Sequence, residues 1–176
     1  AQAAALTDGL LHIVVNNAGV TKPAMFDKTT QESFRLLFDI HVMGAFNVTQ
    51  AALSHLATDG TGRILNVTSA AGLTGTLGQV NYSAAKAGII GFTRALGMEQ
   101  GRFNVTVNAI APGFIATEMI EALPNYDRIK SRALAMNTVQ RLGNERDIAN
   151  GVVFLASDAA EYISGETLHI TGGRYG

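Results

Sequence analysis

The chain has 176 residues, 47% of them hydrophobic and 15% charged, with a net charge of −1 and no cysteine. That length and apolar content support one domain with a buried core and exclude a disordered chain. A near-neutral balance without a Lys/Arg run excludes nucleic acid and anionic membrane surfaces as expected partners, and the missing cysteines exclude disulfides and thiolate metal sites, which fits a cytoplasmic protein binding a small molecule.

In chain order, the first strand-like run spans residues 12–17 and leads into Asn16-Asn17-Ala18-Gly19. Asn and Gly after a strand make tight turns in many folds. Thr29-Thr30-Gln31-Glu32 reads as a capping box opening a helix that runs toward His55 and carries Asp39-Ile40-His41-Val42-Met43-Gly44. A second strand covers 63–69 and ends on Ser69. Gly72-Leu73-Thr74-Gly75-Thr76-Leu77-Gly78 follows, spaced G-x-x-G-x-x-G rather than as the G-x-G-x-x-G of a phosphate turn. The next helix is expected from Gln79 to about Gly101, with Tyr82 and Lys86 in its first turns. Its small residues Ala84, Ala87, Gly88 and Gly91 suit either intrachain packing or a subunit interface. A third strand at 105–112 leads into Pro112-Gly113-Phe114-Ile115-Ala116-Thr117, and a polar segment over 116–143 reads as a mobile lid. Asn144 to Asp147 start a last helix reaching Ser157, and a final strand lies at 167–171.

Such alternation predicts a parallel sheet wrapped by helices in one α/β domain over residues 1–176. No run of about 18 apolar residues and no basic-then-apolar leader is seen, so neither a membrane span nor a signal peptide is expected. His12, His41, His55 and His169 are scattered, and no metal site is expected.

The chemistry gathers on three side chains. Tyr82 and Lys86 are four apart and leave the same helix face, where an ammonium near a phenol favours the phenolate. Ser69, at a strand's carboxyl end, can donate to the same substrate oxygen that Tyr82 protonates. With Asn-Asn-Ala-Gly, Ser69, Tyr82/Lys86 and Pro-Gly-x-Ile-x-Thr in this order, the chain resembles the short-chain dehydrogenase/reductase family from about residue 10 to its end.

The resemblance implies a doubly wound, Rossmann-like sheet and NAD or NADP as cofactor. It implies that Tyr82 exchanges a proton with the substrate oxygen, that Lys86 lowers the tyrosine pKa and binds the nicotinamide ribose, and that Ser69 polarises the substrate. Asn17, Ala18 and Gly19 would lie against the adenosine side, and Pro112, Gly113, Ile115 and Thr117 would contact the carboxamide and phosphates. His41 stands where the family usually has a catalytic asparagine, and a histidine there can also bond or relay a proton. Some relatives resembling 3-hydroxyacyl-CoA dehydrogenases carry histidine at that place, which directs the expected substrate toward 3-oxoacyl or 3-hydroxyacyl thioesters. The alternatives are a reductase of a steroid, sugar or other small ketone, and a catalytically silent binding protein.

Family reductases that act on carrier proteins tend to place basic residues at the active-site mouth. The matching positions here are Gly60 or Thr61 and Phe103, with Arg63 and Arg102 adjacent, so an acidic carrier is not favoured. A homo-oligomer, dimer or tetramer, is expected through the Tyr82 helix and the last strand. Only eleven residues precede His12, too few for an opening βαβ unit with its Gly-rich pyrophosphate turn. The expectation is therefore the carboxyl-terminal part of the fold, with the first strands missing, an exposed edge on the 12–17 strand and weak dinucleotide binding by these 176 residues alone.

Overall fold

The computed structural model describes residues 2–6, 9–117 and 126–174. Four strands form one sheet in the order β1-β2-β3-β4, every neighbouring pair parallel. They are β1 Ile13–Asn16, β2 Arg63–Val67, β3 Thr106–Pro112 and β4 Thr167–Ile170, close to the runs expected from the sequence. Both central strands are buried almost end to end, as strands covered on two faces must be.

Consecutive side chains of a strand point to opposite faces, and Ile64 and Leu65 feed two separate cores. Ile64 packs with Val14, Ala52, Leu56, Val105 and Val107. Leu65 joins Ile110, Leu155 and Ala160. Helices lie on each side of the sheet, and the fold is Rossmann-like α/β. Among the described residues β1 has no strand on its outer side. Ile13 and Val15, on one face of that strand, are 49% and 41% exposed.

The first described helix, α1 (Gln2–Ala5), is a single turn. The helix toward His55 is continuous but not uniform: α2 (Gln31–Phe38), a π-helical turn (Asp39–Met43) and α3 (Gly44–Leu53). Its cap differs from the expected box by one residue. Thr30 is the N-cap, accepting from the Ser33 amide at 3.1 Å, while the Thr29 hydroxyl donates to the Met25 carbonyl at 3.1 Å. By length and a mean hydropathy of 1.2, Gln31–Leu53 meets the requirement for a membrane span, contrary to the sequence expectation. Its Leu37, His41, Ala45, Thr49 and Ala52 form a buried stripe, however, the pattern of a helix docked on a sheet.

Ser69 caps the short helix α4 (Ala70–Thr74), which packs on α5 (Val80–Gln100). The contact explains Gly72. A Cβ there would stand 2.7 Å from the Lys86 carbonyl carbon and 2.9 Å from the Ala87 amide nitrogen, so only glycine lets the two backbones approach. The Gly72–Gly78 segment is thus a helix contact and a turn. Gly72→Ala is expected to cost about 1–3 kcal/mol in chemical denaturation, because backbone cannot yield as a side-chain tip can.

Beyond β3, the Ala116 amide donates to the Gly143 carbonyl at 2.8 Å and the Gly143 amide to Phe114 at 3.2 Å. The segment expected as a lid therefore leaves and returns at one place. It contains α6 (Tyr126–Met136), while its residues 118–125 lie outside the described residues. Its return limb is pinned by Arg141, which forks onto both Asp147 oxygens at 2.6 and 2.8 Å, and Asp147 closes a capping box with Asn144 at the start of α7 (Glu145–Ala156).

Candidate active site

Parallel strands deliver their carboxyl ends to one edge of the sheet, where open α/β folds bind ligands. Here that edge carries Asn17, Ala18 and Gly19 after β1, Ser69 after β2, and Gly113, Ile115 and Thr117 after β3. Asn17, Ala18 and Gly19 are exposed, while Ile115 and Thr117 are half-buried. Pro112 ends β3, and the Gly113 amide donates to the Ile170 carbonyl at 2.9 Å, holding that turn to β4.

Ser69 and Tyr82 are brought close together. The Ser69 oxygen accepts from the Ala71 amide at 3.2 Å, which leaves its own proton to donate, and the serine hydroxyl is near enough to the Tyr82 phenol to act on its pKa. Burial raises the Tyr82 pKa above 10, and the nearby Ser69 hydroxyl opposes that rise. The expected lowering by Lys86 is not what the structure shows. Its ammonium lies 5.7 Å from the Tyr82 ring centre and donates to the Val67 carbonyl at 2.7 Å. The cation is hydrogen-bonded to a backbone oxygen, and burial, not the ammonium, sets the direction of the Tyr82 shift.

Lys86 is 4% exposed, and burial brings its pKa from 10.5 down to about 8. Its backbone is clamped as well: the Thr68 hydroxyl donates to the Lys86 carbonyl at 2.6 Å, on the side where Gly72 makes its close approach. A long side chain anchored at both ends loses little further freedom when it binds something.

His41 is brought into the same crevice by the π turn. Its ring stands edge-on to Tyr82, with centroids 5.4 Å apart, and Nε2 lies 2.9 Å from the Val20 carbonyl. Gly19 is pressed against the ring, since a Cβ there would sit 2.9 Å from Nδ1. Ser69, Tyr82, Lys86 and His41 are therefore neighbours, and the turn after β1 closes over them.

Sequence reasoning missed Asn81. Only 1% exposed, it donates to the Lys22 carbonyl at 3.2 Å and accepts from the Tyr82 amide at 2.8 Å, tying the start of α5 to the loop after β1. An asparagine in a helix's first turn, beside the proton-bearing tyrosine, was the available signal. Missed too was a polar ladder behind the site. Asn16 donates to Thr49 at 2.9 Å and Asn66 at 2.8 Å, and Asn66 donates to Thr93 at 3.0 Å, joining β1, α3, β2 and α5.

The two arginines adjacent to the positions matched to the family's active-site mouth lie away from the crevice. Arg63 starts β2, at the opposite end from Ser69, and its buried guanidinium donates to Gly60 at 2.7 Å and Gly62 at 3.0 Å. Arg102 stacks on Phe103 at 4.7 Å, beyond the far end of α5. Neither offers a cation to the crevice. No group of three or more His, Asp or Glu that could hold a metal occurs among the described residues.

The family model described as enoyl-(acyl carrier protein) reductase matches residues 1–174. With that match over the fold and crevice just described, the chain belongs to the short-chain dehydrogenase/reductase family and is a nicotinamide-dependent oxidoreductase. Among its relatives is the acetoacetyl-CoA reductase of Rhizobium meliloti, 46% identical over 167 residues that make up 95% of this chain and 69% of the relative. The acetoacetyl-CoA reductase of an Acinetobacter strain is 44% identical over 174 residues, 99% of this chain and 69% of its own. The 3-oxoacyl-(acyl-carrier-protein) reductase of Vibrio cholerae is 43% identical over 173 residues, 97% and 70% of the two chains.

The described residues fit the nicotinamide end of a dinucleotide. A buried ammonium with one described acceptor, and polar turns after β1 and β3 at the carboxyl edge, are donors a ribose and a carboxamide can use.

Proposed function

We propose that this protein interconverts 3-oxoacyl and 3-hydroxyacyl thioesters, with Tyr82 as the acid/base, Ser69 and Lys86 as its partners and His41 beside them. The placing of the Ser69 hydroxyl beside the Tyr82 phenol, with Lys86 and His41 against the same ring, carries the reading, because both hydroxyls can then reach one carbonyl oxygen. Ser69 donates to that oxygen and holds it against Tyr82. Tyr82, kept protonated by its raised pKa, gives its proton as charge develops there, and the reverse reaction returns it. NAD or NADP, when bound, supplies or accepts the hydride. Lys86, fixed on the Val67 carbonyl, and Asn17, Ala18, Gly19, Pro112, Gly113, Ile115 and Thr117 along the strand ends would hold the dinucleotide.

A coenzyme A thioester is favoured over an acidic carrier protein, since Arg63 and Arg102 present no charge to the crevice. The names of the relatives from Rhizobium meliloti and Vibrio cholerae support the thioester and leave both carriers to be compared. The test is kcat/KM on acetoacetyl-CoA, on the same acyl group attached to a carrier protein, and on simple ketones, each with NADH and NADPH. A preference for the CoA thioester is expected, and faster turnover of a steroid or sugar ketone would overturn the assignment.

The protein is a homo-oligomer in this reading and works in the cytoplasm, where its lack of cysteine fits. Ala87 and Gly91 expose a small-residue face on α5, and Gly91 has open space where a Cβ would stand. Sedimentation should show a dimer or tetramer, and monomers at micromolar concentration would count against that interface.

A further inference from the structure

His41 is 3% exposed, and its two ring nitrogens have opposite surroundings. Nε2 lies 2.9 Å from the Val20 carbonyl, and a carbonyl only accepts, so Nε2 carries the hydrogen. In the neutral ring Nδ1 is then a bare acceptor, buried with no hydrogen-bond partner. A side chain left this way costs stability that an apolar residue of similar size would not. Nor is the ring free to turn, with Gly19 pressed on it, Tyr82 edge-on at 5.4 Å and a π turn fixing its backbone.

We propose that His41 is a positioning residue whose Nδ1 accepts a hydrogen bond from an O–H group brought into the crevice beside Gly19 by the bound ligands, a contact only the neutral ring can make. This deepens the acid/base reading and rests on it. The donor is a ribose hydroxyl of the dinucleotide or a water held with the substrate. Protonation replaces the acceptor with a second donor and sets a second cation beside Lys86. Tyr82 and Lys86 on α5 are the ionisable groups around the ring. The helix α3 has no charged residue, and Glu32, Arg35 and Asp39 on the preceding segment are exposed. Burial first, and then the Lys86 charge, hold the His41 pKa below 6.5, with the Val20 bond opposing them. An asparagine in this place would have no proton to gain, so the acid sensitivity comes with the histidine.

The test joins nitrogen-15 NMR of the imidazole to pH–rate profiles. At pH 7, Nε2 should be protonated and Nδ1 bare. The Nδ1 resonance should then move on saturation with NADH or NADPH if the donor is the ribose, and only with dinucleotide plus substrate if it is a held water. In the wild type, kcat/KM should fall about tenfold per pH unit below the point where His41 titrates. His41→Asn should remove that limb, at whatever rate the variant turns over. A protonated Nδ1 at pH 7, a resonance that no ligand moves, or an acid limb unchanged in His41→Asn overturns the proposal. If His41→Asn does not fold, the wild-type resonances decide alone. Failure of the acid/base reading would appear separately, as a Tyr82→Phe variant that still turns over.

Discussion

Tyr82→Phe is expected to lower kcat by about 10²–10⁴-fold while leaving dinucleotide affinity within a few-fold, because only the proton-bearing oxygen is removed. The ring remains to pack edge-on against His41 and under the Lys86 ammonium. Ser69 keeps its bond from the Ala71 amide and so its place at the end of β2. Since Tyr82 has its pKa raised, the loss should hold across neutral pH and not be confined to one limb. Stopped-flow measurement of the chemical step, beside a fluorescence titration of the dinucleotide, separates the two effects. A variant retaining a tenth of the wild-type chemical rate would sink the assignment.

Lys86→Met should abolish most turnover and yet not weaken the fold at pH 7. Burial brings the ammonium to about 8 from 10.5. That gap corresponds to roughly 3 kcal/mol against the charged form in the folded state. Methionine removes this penalty but leaves the Val67 carbonyl without its donor, which returns about 1–3 kcal/mol. The sign follows from proton binding. Between pH 8 and 10.5 the unfolded chain holds the Lys86 proton and the folded chain does not, so this group makes wild-type stability rise with pH across that window. The variant lacks the rise. Denaturation of both proteins at pH 7, 9 and 10.5 should show the wild type gaining on the variant at each step. A constant difference would mean that Lys86 is not a buried, unpaired cation. The general form is a trade of stability for function, in which a site group is held where folding alone would not put it.

Much of this was legible from residue order. The two central strands are continuous Val- and Ile-rich runs, so Arg63–Val67 and Thr106–Pro112 could be placed to within two residues, and the ends of α5 to within one. The meeting of Ser69, Tyr82 and Lys86 was legible for the same reason. A residue at a strand's carboxyl end and a pair four apart in the next helix are placed together by local geometry once the sheet is parallel. Capping was less secure: Thr29 and Thr30 are both good N-caps, and the choice of Thr30 depended on which hydroxyl the Met25 carbonyl drew away.

What the sequence by itself determined is the alternation of elements, the parallel sheet and the gathering of Ser69, Tyr82 and Lys86, the three side chains proposed to carry proton transfer. These follow from short-range periodicity and from backbone rules that act within a few residues. What only the tertiary structure decided is how those side chains are used: the Lys86 ammonium on the Val67 carbonyl, Gly72 against the α5 backbone, Asn81 holding the loop after β1, and Nδ1 of His41 buried beside Gly19. Each is a contact between segments far apart in the chain, and each depends on distances of tenths of an ångström that no residue pattern encodes. The same cause inverts an expectation about charge. Spacing alone put a cation next to a phenol, but packing bonded that cation to a carbonyl and buried the phenol, and burial outweighs the Ser69 hydroxyl in raising the Tyr82 pKa.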